Sequence, residues 1–129
     1  MAVGRILVTG GAGFIGSHLV DALLGKGYKI RVLDDLSTGK TTNLPVGNPD
    51  LELVVGDVAD SAAVELAMAG CSAVVHLAAV ASVQASVDDP VATHQANFVG
   101  TLNVCQSMLK AGVTRVVFAA SAATYGNNG

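Results

Sequence analysis

Thr9-Gly10-Gly11-Ala12-Gly13-Phe14-Ile15-Gly16 decides how this chain folds. Before it lies Arg5-Ile-Leu-Val-Thr9, a short apolar run rich in β-branched residues, which reads as a buried strand. After it, from Phe14 to Leu24, Ile15, Leu19, Ala22 and Leu23 recur at helical spacing, with Gly25 and Gly27 as stops. Gly10, Gly13 and Gly16 therefore stand in a strand–turn–helix context. One glycine there lets the chain reverse without a Cβ clash. A second lets the backbone approach a pyrophosphate, and a third lets the helix pack on the strand. The helix's first N–H groups and its positive end face the same point, so this segment reads as a phosphate-binding loop.

The same alternation continues outward. Lys29 to Leu33 reads as a second strand, ending at Asp34-Asp35; Leu36 to Asp50, with Pro45 and Pro49, reads as loop. Leu51 to Val55 is the third expected strand, followed by Gly56-Asp57. Ser61 to Ala69 is a short expected helix with Asp60 as N-cap and Gly70 as stop. Ala73 to Leu77 is the fourth strand, and an Ala-rich polar loop is expected to run to Asp89. Pro90 opens a long helix, Val91 to Ala111, that Gly112 ends. Arg115 to Ala119 is the fifth strand and Ser121 to Gly129 a loop. Parallel strands need right-handed crossovers. The expected architecture is α/β, a Rossmann-type doubly wound parallel sheet in strand order 3-2-1-4-5 and a single domain over 1–129. Its ligand crevice falls where the direction reverses, between strands 1 and 4.

Asp34 lies 18 residues after Gly16, at the end of the second strand. A carboxylate there accepts hydrogen bonds from adenosine ribose hydroxyls and repels a 2′-phosphate. Two unit charges about 4 Å apart at an effective dielectric of about 20 cost on the order of 4 kcal/mol, roughly a thousandfold in affinity. No arginine follows closely, and Lys40 is the nearest downstream cation. The expected cofactor is NAD rather than NADP. Asp57, closing the third strand, is placed to accept from the adenine amino group.

Composition narrows the partners. Of 129 residues 51% are hydrophobic, and mean hydropathy is +0.55, as suits a sheet covered on both faces. No apolar stretch reaches the roughly 18–20 residues of a bilayer span. Met1 to Val8 has Arg5 inside its apolar run and is not built like a signal peptide. A net charge of −3 without a basic cluster, and 4% aromatics without Trp, argue against nucleic acid or an anionic membrane as partner. Cys71 and Cys105 read as reduced thiols of a cytoplasmic protein, and His18, His76 and His94 show no metal spacing. His18 and His94 are expected near the surface and His76 as a packed neutral histidine. No metal site is expected.

With these residues assembled, the chain resembles the extended short-chain dehydrogenase/reductase family, specifically NAD-dependent sugar-nucleotide epimerases and dehydratases. The nearest likeness is to UDP-glucose and UDP-N-acetylglucosamine 4-epimerases. The matching blocks are VTGGAGFIGSHLV, VLDDLSTG, GDV, VVHLAA, the stretch Asn97 to Thr101 and the stretch Ser121 to Gly126. The resemblance implies that Phe14 and Ile15 supply the turn beside the pyrophosphate. It has Asp34, Asp35, Ser37, Thr38 and Gly39 wrap the adenosine ribose, while Asp57 and Val58 border the adenine. It runs Leu77, Ala78 and Ala79 along the cofactor toward the nicotinamide, with Val80 and Ala81 nearby, and sets Asn97 on the nicotinamide side. Ser121 matches the catalytic-site serine, and Ser82 and Ser86 fall near the sugar. The implied reaction inverts C4 of a UDP-sugar by passing hydride to bound NAD and back.

The sequence departs from that pattern at the proton-transfer step. The family's Tyr-x-x-x-Lys pair is absent: Tyr28 is followed four positions on by Val32, and Tyr125 by Gly129. Ala81 stands where 4-epimerases usually carry a lysine, and Ala119 and Ala120 stand where many relatives carry serines. Tyr125 reads as structural. The expectation is therefore the N-terminal, NAD-binding part of such an enzyme, truncated relative to the family and without its C-terminal substrate domain. It binds NAD but does not turn over alone, the UDP-sugar being a partner of the full-length parent. A non-catalytic dinucleotide-sensing module and a 4,6-dehydratase or decarboxylase fragment are the alternatives. Homo-oligomerisation is expected through helix 90–111, along Val91, Val99, Leu102, Met108 and Leu109, or through the exposed strand 115–119.

Overall fold

The two central strands bury both of their faces. In β1 (Arg5–Thr9) Leu7 packs on one side of the sheet and Val8 on the other; in β2 (Ile30–Asp34) Leu33 and Val32 divide in the same way, all four fully inaccessible. Strand side chains alternate with period two, so continuous apolar runs persist only where helices cover both faces. In the computed structural model, which describes residues 4–121 with 125 and 126, β3 (Leu51–Val55), β4 (Cys71–His76) and β5 (Val116–Phe118) complete an all-parallel sheet. Its order is β3-β2-β1-β4-β5, as the sequence predicts. Most of the expected 121–129 loop lies outside the described residues.

Helix α1 (Phe14–Gly25) covers the Val8–Val32 face with Leu19, Val20 and Leu23. It ends at Gly25, and the chain turns away at Gly27. Gly27 adopts φ +88, and the Tyr28 and Gly27 N–H groups bond back to the Leu23 and Leu24 carbonyls at 3.2 and 3.0 Å. That left-handed closure favours glycine and satisfies carbonyls the helix leaves open. Helix α2 (Ser61–Met68) covers the opposite face and is capped by Asp60, whose carboxylate accepts from the Ala62 and Ala63 N–H groups at 3.1 and 3.4 Å.

Three expectations are corrected. The loop expected up to Asp89 contains a helix, α3 (Val83–Asp88), started by the Ser82 hydroxyl accepting from the Ala85 N–H at 3.1 Å. None of its residues is buried, so apolar periodicity could not announce it. The long helix is interrupted: α4 (Pro90–His94) runs into a π-helical stretch (Gln95–Val99) and then α5 (Gly100–Ala111). Met108, expected on an uncovered stripe, belongs to the core with Val64, Met68 and Val104, whereas Val91, Leu102 and Leu109 are exposed. Smaller shifts put Asp34 inside β2, start β4 at Cys71, and place a 3₁₀ turn (Thr41–Asn43) in the loop before β3.

Arg31 ties the sheet to the end of α2. Its Nη1 donates to the Ala67 and Ala69 carbonyls at 2.7 and 2.6 Å, and its Nε to Glu52 Oε2 at 2.8 Å, with Arg5 on the other Glu52 oxygen at 3.3 Å. The Arg31 hydrogen bond holds the Glu52 carboxyl below its ordinary pKa of 4.5. Arg31→Met takes the guanidinium donor from the Ala67 and Ala69 carbonyls and leaves Glu52 with Arg5 alone. It is expected to lower the unfolding free energy by about 2–3 kcal/mol in urea titration; a loss under about 0.5 kcal/mol would mean that water serves these groups equally well.

Candidate dinucleotide-binding site

The glycine loop is shaped by backbone contacts that side chains would destroy. Gly10 has φ +71, and a Cβ there would stand 2.9 Å from the Ala78 nitrogen. A Cβ on Gly16 would lie 2.3 Å from the Gly10 oxygen and 2.7 Å from the Gly11 Cα. Gly11 is filled by the Val32 side chain, at 2.8 Å, so it serves packing. Gly13 differs. A Cβ there meets only the Gly10 oxygen, at 3.4 Å, so its missing side chain leaves room on the outer side. Gly13 caps α1 with no side-chain acceptor, and the first turn carries no acidic residue. Among the described residues nothing accepts the N–H groups of Phe14, Ile15 and Gly16. Three aligned donors at a positive helix end suit an anion.

Ala12, fully buried, bolts this loop to the neighbouring strand. Its N–H donates to Asp34 Oδ2 at 2.9 Å, and its carbonyl accepts from the Lys40 N–H at 3.1 Å and Asn43 Nδ2 at 2.9 Å. Asp34 Oδ1 accepts from the Leu36 N–H at 2.8 Å. Each carboxylate oxygen thus has one backbone donor and keeps acceptor capacity for a second. Leu36 takes φ 62 to make that bond, a left-handed conformation that costs a non-glycine residue about 1–2 kcal/mol. Asp35 orders the next turn by accepting from the Ser37 N–H and hydroxyl at 3.0 and 2.7 Å.

Around these groups lies a cleft of about 490 Å³ to which all five strand carboxyl ends contribute. Gly10, Gly13, Phe14, Ile15 and Gly16 form its floor. Asp34, Asp35, Ser37 and Thr38 form one wall, Asp57 and Val58 close the end under β3, and Leu77, Ala78 and Ala79 run along the β4 side. Three residues given to the cofactor or to catalysis from the sequence do not line it. Gly39 is buried, packed so tightly on Ala12 that a Cβ would stand 2.9 Å from its carbonyl carbon. Asn97 turns its amide onto Val80, accepting from the Val80 N–H at 2.7 Å and donating to its carbonyl at 3.0 Å. Ser121 is exposed and follows Ala120, which does line the cleft. Ser82 and Ser86 are engaged in α3, and Tyr125 is exposed.

Leu33, Gly56, Ala96, Ala119 and Ala120 also line the cleft and were not assigned to the cofactor from the sequence. The positions just after each strand were a usable signal for Gly56, Ala119 and Ala120. Ala96 offered none. Asn43, exposed yet holding the Ala12 carbonyl, was missed because it reads as an ordinary loop residue.

His76 ends β4 behind the cleft, 3% exposed and stacked on Phe118 with ring centroids 5.8 Å apart. Burial pushes its pKa below the ordinary 6.5. As pH falls through about 6.5 the unfolded chain takes up a proton that the folded chain resists. This residue's share of stability is therefore complete above that pH and declines below it, until the folded pKa is reached. Tm is expected to drop between about pH 7.5 and pH 5.5, and to drop less in His76→Asn. Identical drops in the two proteins would remove the histidine from the account.

No described helix is long and apolar enough to cross a membrane, and the described residues contain no cluster of three or more potential metal-binding side chains. Comparison with known proteins converges on one family. The model of the NAD dependent epimerase/dehydratase family matches residues 6–129. A UDP-glucose 4-epimerase of Bacillus subtilis is 41% identical over 127 residues, covering 94% of this chain and 38% of that protein. The crystal structure of the Thermus thermophilus UDP-glucose 4-epimerase in complex with NAD superposes with a TM-score of 0.84 at 44% identity, covering 91% and 37% of the two chains. A UDP-N-acetylglucosamine 4-epimerase from Methanobrevibacter ruminantium gives 0.89 at 39% identity, covering 99% and 41%. The chain thus spans about two fifths of the length of these relatives. A glycine loop bolted to a strand-end carboxylate in a 3-2-1-4-5 sheet, matched along nearly the whole chain, leads to one assignment: this chain belongs to the NAD dependent epimerase/dehydratase family.

Proposed function

We propose that this chain binds NAD in the cleft and forms the cofactor-holding part of a UDP-sugar 4-epimerase. One observation carries the reading. Three N–H groups at the start of α1 that no described residue accepts, and the Asp34 carboxylate, joined through Ala12, offer donors for a diphosphate beside acceptors for ribose hydroxyls. The empty space over Gly13 suits a backbone-to-phosphate approach. Gly13 to Gly16 would hold the diphosphate, Asp34 with Ser37 and Thr38 the adenosine ribose, and Asp57 and Val58 the adenine. Leu77, Ala78 and Ala79 would line the way toward the nicotinamide. When bound, NAD supplies the hydride acceptor; the residues here orient it and keep water from its buried side. Gly39 and Asn97 act indirectly, by seating Ala12 and Val80.

The sequence holds no Tyr-x-x-x-Lys, the pair that moves the proton in the resembling enzymes. The chain as it stands therefore binds NAD without epimerising, with Ser121 left as the catalytic-site serine. Calorimetry should give saturable NAD binding, and incubation with NAD and UDP-galactose should give no UDP-glucose. Failure to bind NAD would refute the first half of the proposal and turnover the second. Exposed Phe98, Leu102 and Leu109 on the helix, and Val116 to Phe118 at the sheet edge, support self-association, which light scattering at high concentration checks.

A further inference from the structure

Thr9, His76 and Thr101 come from β1, β4 and α5, and the cofactor reading makes no use of the imidazole between them. Thr9 Oγ1 lies 2.6 Å from His76 Nδ1. It also accepts from the Ala78 N–H at 3.1 Å and from the Leu77 N–H at 3.0 Å, the latter shared with the Thr9 carbonyl at 3.1 Å. A hydroxyl has two lone pairs and one proton. The backbone donors occupy the lone pairs, so the Thr9 proton goes to His76 Nδ1. The proton of a neutral ring then sits on Nε2, which is 3.0 Å from Thr101 Oγ1. Thr101 in turn donates to the Asn97 carbonyl at 2.7 Å. Every proton along this path has an acceptor. The opposite tautomer puts a third donor on Thr9 Oγ1 and strands the threonine's own proton.

The chain of bonds reaches the cleft at both ends. Thr9 precedes Gly10 of the phosphate loop, and its hydroxyl seats Leu77 and Ala78, which line the cleft. At the other end Asn97 belongs to the π-helical stretch and clamps Val80. We propose that His76, held as the Nε2–H tautomer, is a positioning residue that locks the 77–80 wall of the cleft to the phosphate-loop stem, so that dinucleotide binding requires a neutral imidazole. An imidazolium places a donor against a hydroxyl that has no lone pair to give, and the wall must move. Among the described residues, the ring's hydrogen-bond and stacking partners are Thr9 from β1, Thr101 from α5 and Phe118 from β5, none of them charged, and burial is the cause lowering its pKa. The binding half of this proposal rests on the NAD reading above; the tautomer half does not.

Long-range proton–nitrogen correlation on the unliganded full chain, with labelled histidine near neutral pH, reads the tautomer directly. A bare Nδ1 and a protonated Nε2 at His76 are expected; the reverse pattern, or rapid averaging of the two, overturns the proposal. Calorimetry then compares NAD binding in the wild type, His76→Phe and His76→Asn. Phenylalanine strands the Thr9 proton and should weaken binding about tenfold or more, whereas asparagine can place an oxygen near the Nδ1 position and should stay within about threefold. Wild-type affinity should hold through neutral pH and fall only below pH 6.5, as the lowered pKa of the folded imidazole is approached, while that of His76→Asn falls less. Unchanged binding in His76→Phe, or equal pH dependence in wild type and His76→Asn, refutes the positioning role. Should the wild type bind no NAD at any pH, the cofactor reading fails, and the nitrogen spectrum alone judges the hydrogen-bond chain.

Discussion

Gly16→Ala is expected to weaken NAD binding by about 100-fold or more and to destabilise the fold. The added Cβ would stand 2.3 Å from the Gly10 oxygen and 2.7 Å from the Gly11 Cα. Both are backbone atoms, so no rotamer change relieves the clash and the loop itself must shift. Overpacking of this kind costs about 1–3 kcal/mol of stability. The shift also turns the Phe14 to Gly16 N–H groups away from their common focus. Hydrogen bonds to a charged group contribute about 1.5–3 kcal/mol each, so misaligning even two of them accounts for the expected loss. Gly13→Ala separates the two effects. Its Cβ meets only the Gly10 oxygen at 3.4 Å, and the residue's φ of −76 suits alanine, so Tm should barely change. NAD affinity should still fall, because the methyl group occupies the space above the loop. Undiminished affinity in Gly13→Ala would place the phosphates elsewhere.

Asp34→Ala carries the second large effect. In the wild type NADP should bind roughly a thousandfold more weakly than NAD, because a 2′-phosphate would meet a carboxylate that is only 7% exposed. Alanine removes both the ribose acceptors and the repulsion. NAD affinity should fall about 100-fold, and the preference for NAD should shrink to about tenfold or less. Stability should drop as well, by about 1–3 kcal/mol in denaturant titration, since the buried Ala12 N–H loses its acceptor. Comparable affinity of the wild type for the two cofactors would overturn the assignment of Asp34.

These two residues were legible in the sequence because their demands are local. A glycine pattern between an apolar run and an amphipathic stretch has few other uses, and a carboxylate at the next strand end follows from the same unit. Helix α3 was not legible, because it packs no apolar face and rests on its Ser82 cap and a Gln84–Asp88 hydrogen bond of 2.9 Å. The π-helical stretch was not legible either. It accompanies Asn97 reaching across to Val80 while Thr101 takes the Asn97 carbonyl, a pairing between residues 17 apart in the chain.

What the chain's own order of residues determined was the strand order, the two-sided core and the crevice lined by its glycine loop and the Asp34 carboxylate. Periodicity, caps and chirality of connection are properties of neighbours along the backbone. Only the folded arrangement decided that Asn97 braces a loop instead of lining the cleft, that Met108 is core while the adjacent Leu109 is bare, that Asn43 steadies Ala12, and that the His76 ring sits between Thr9 and Thr101. Each of those depends on which donors and apolar surfaces meet across the sheet, and distance along the chain does not encode that.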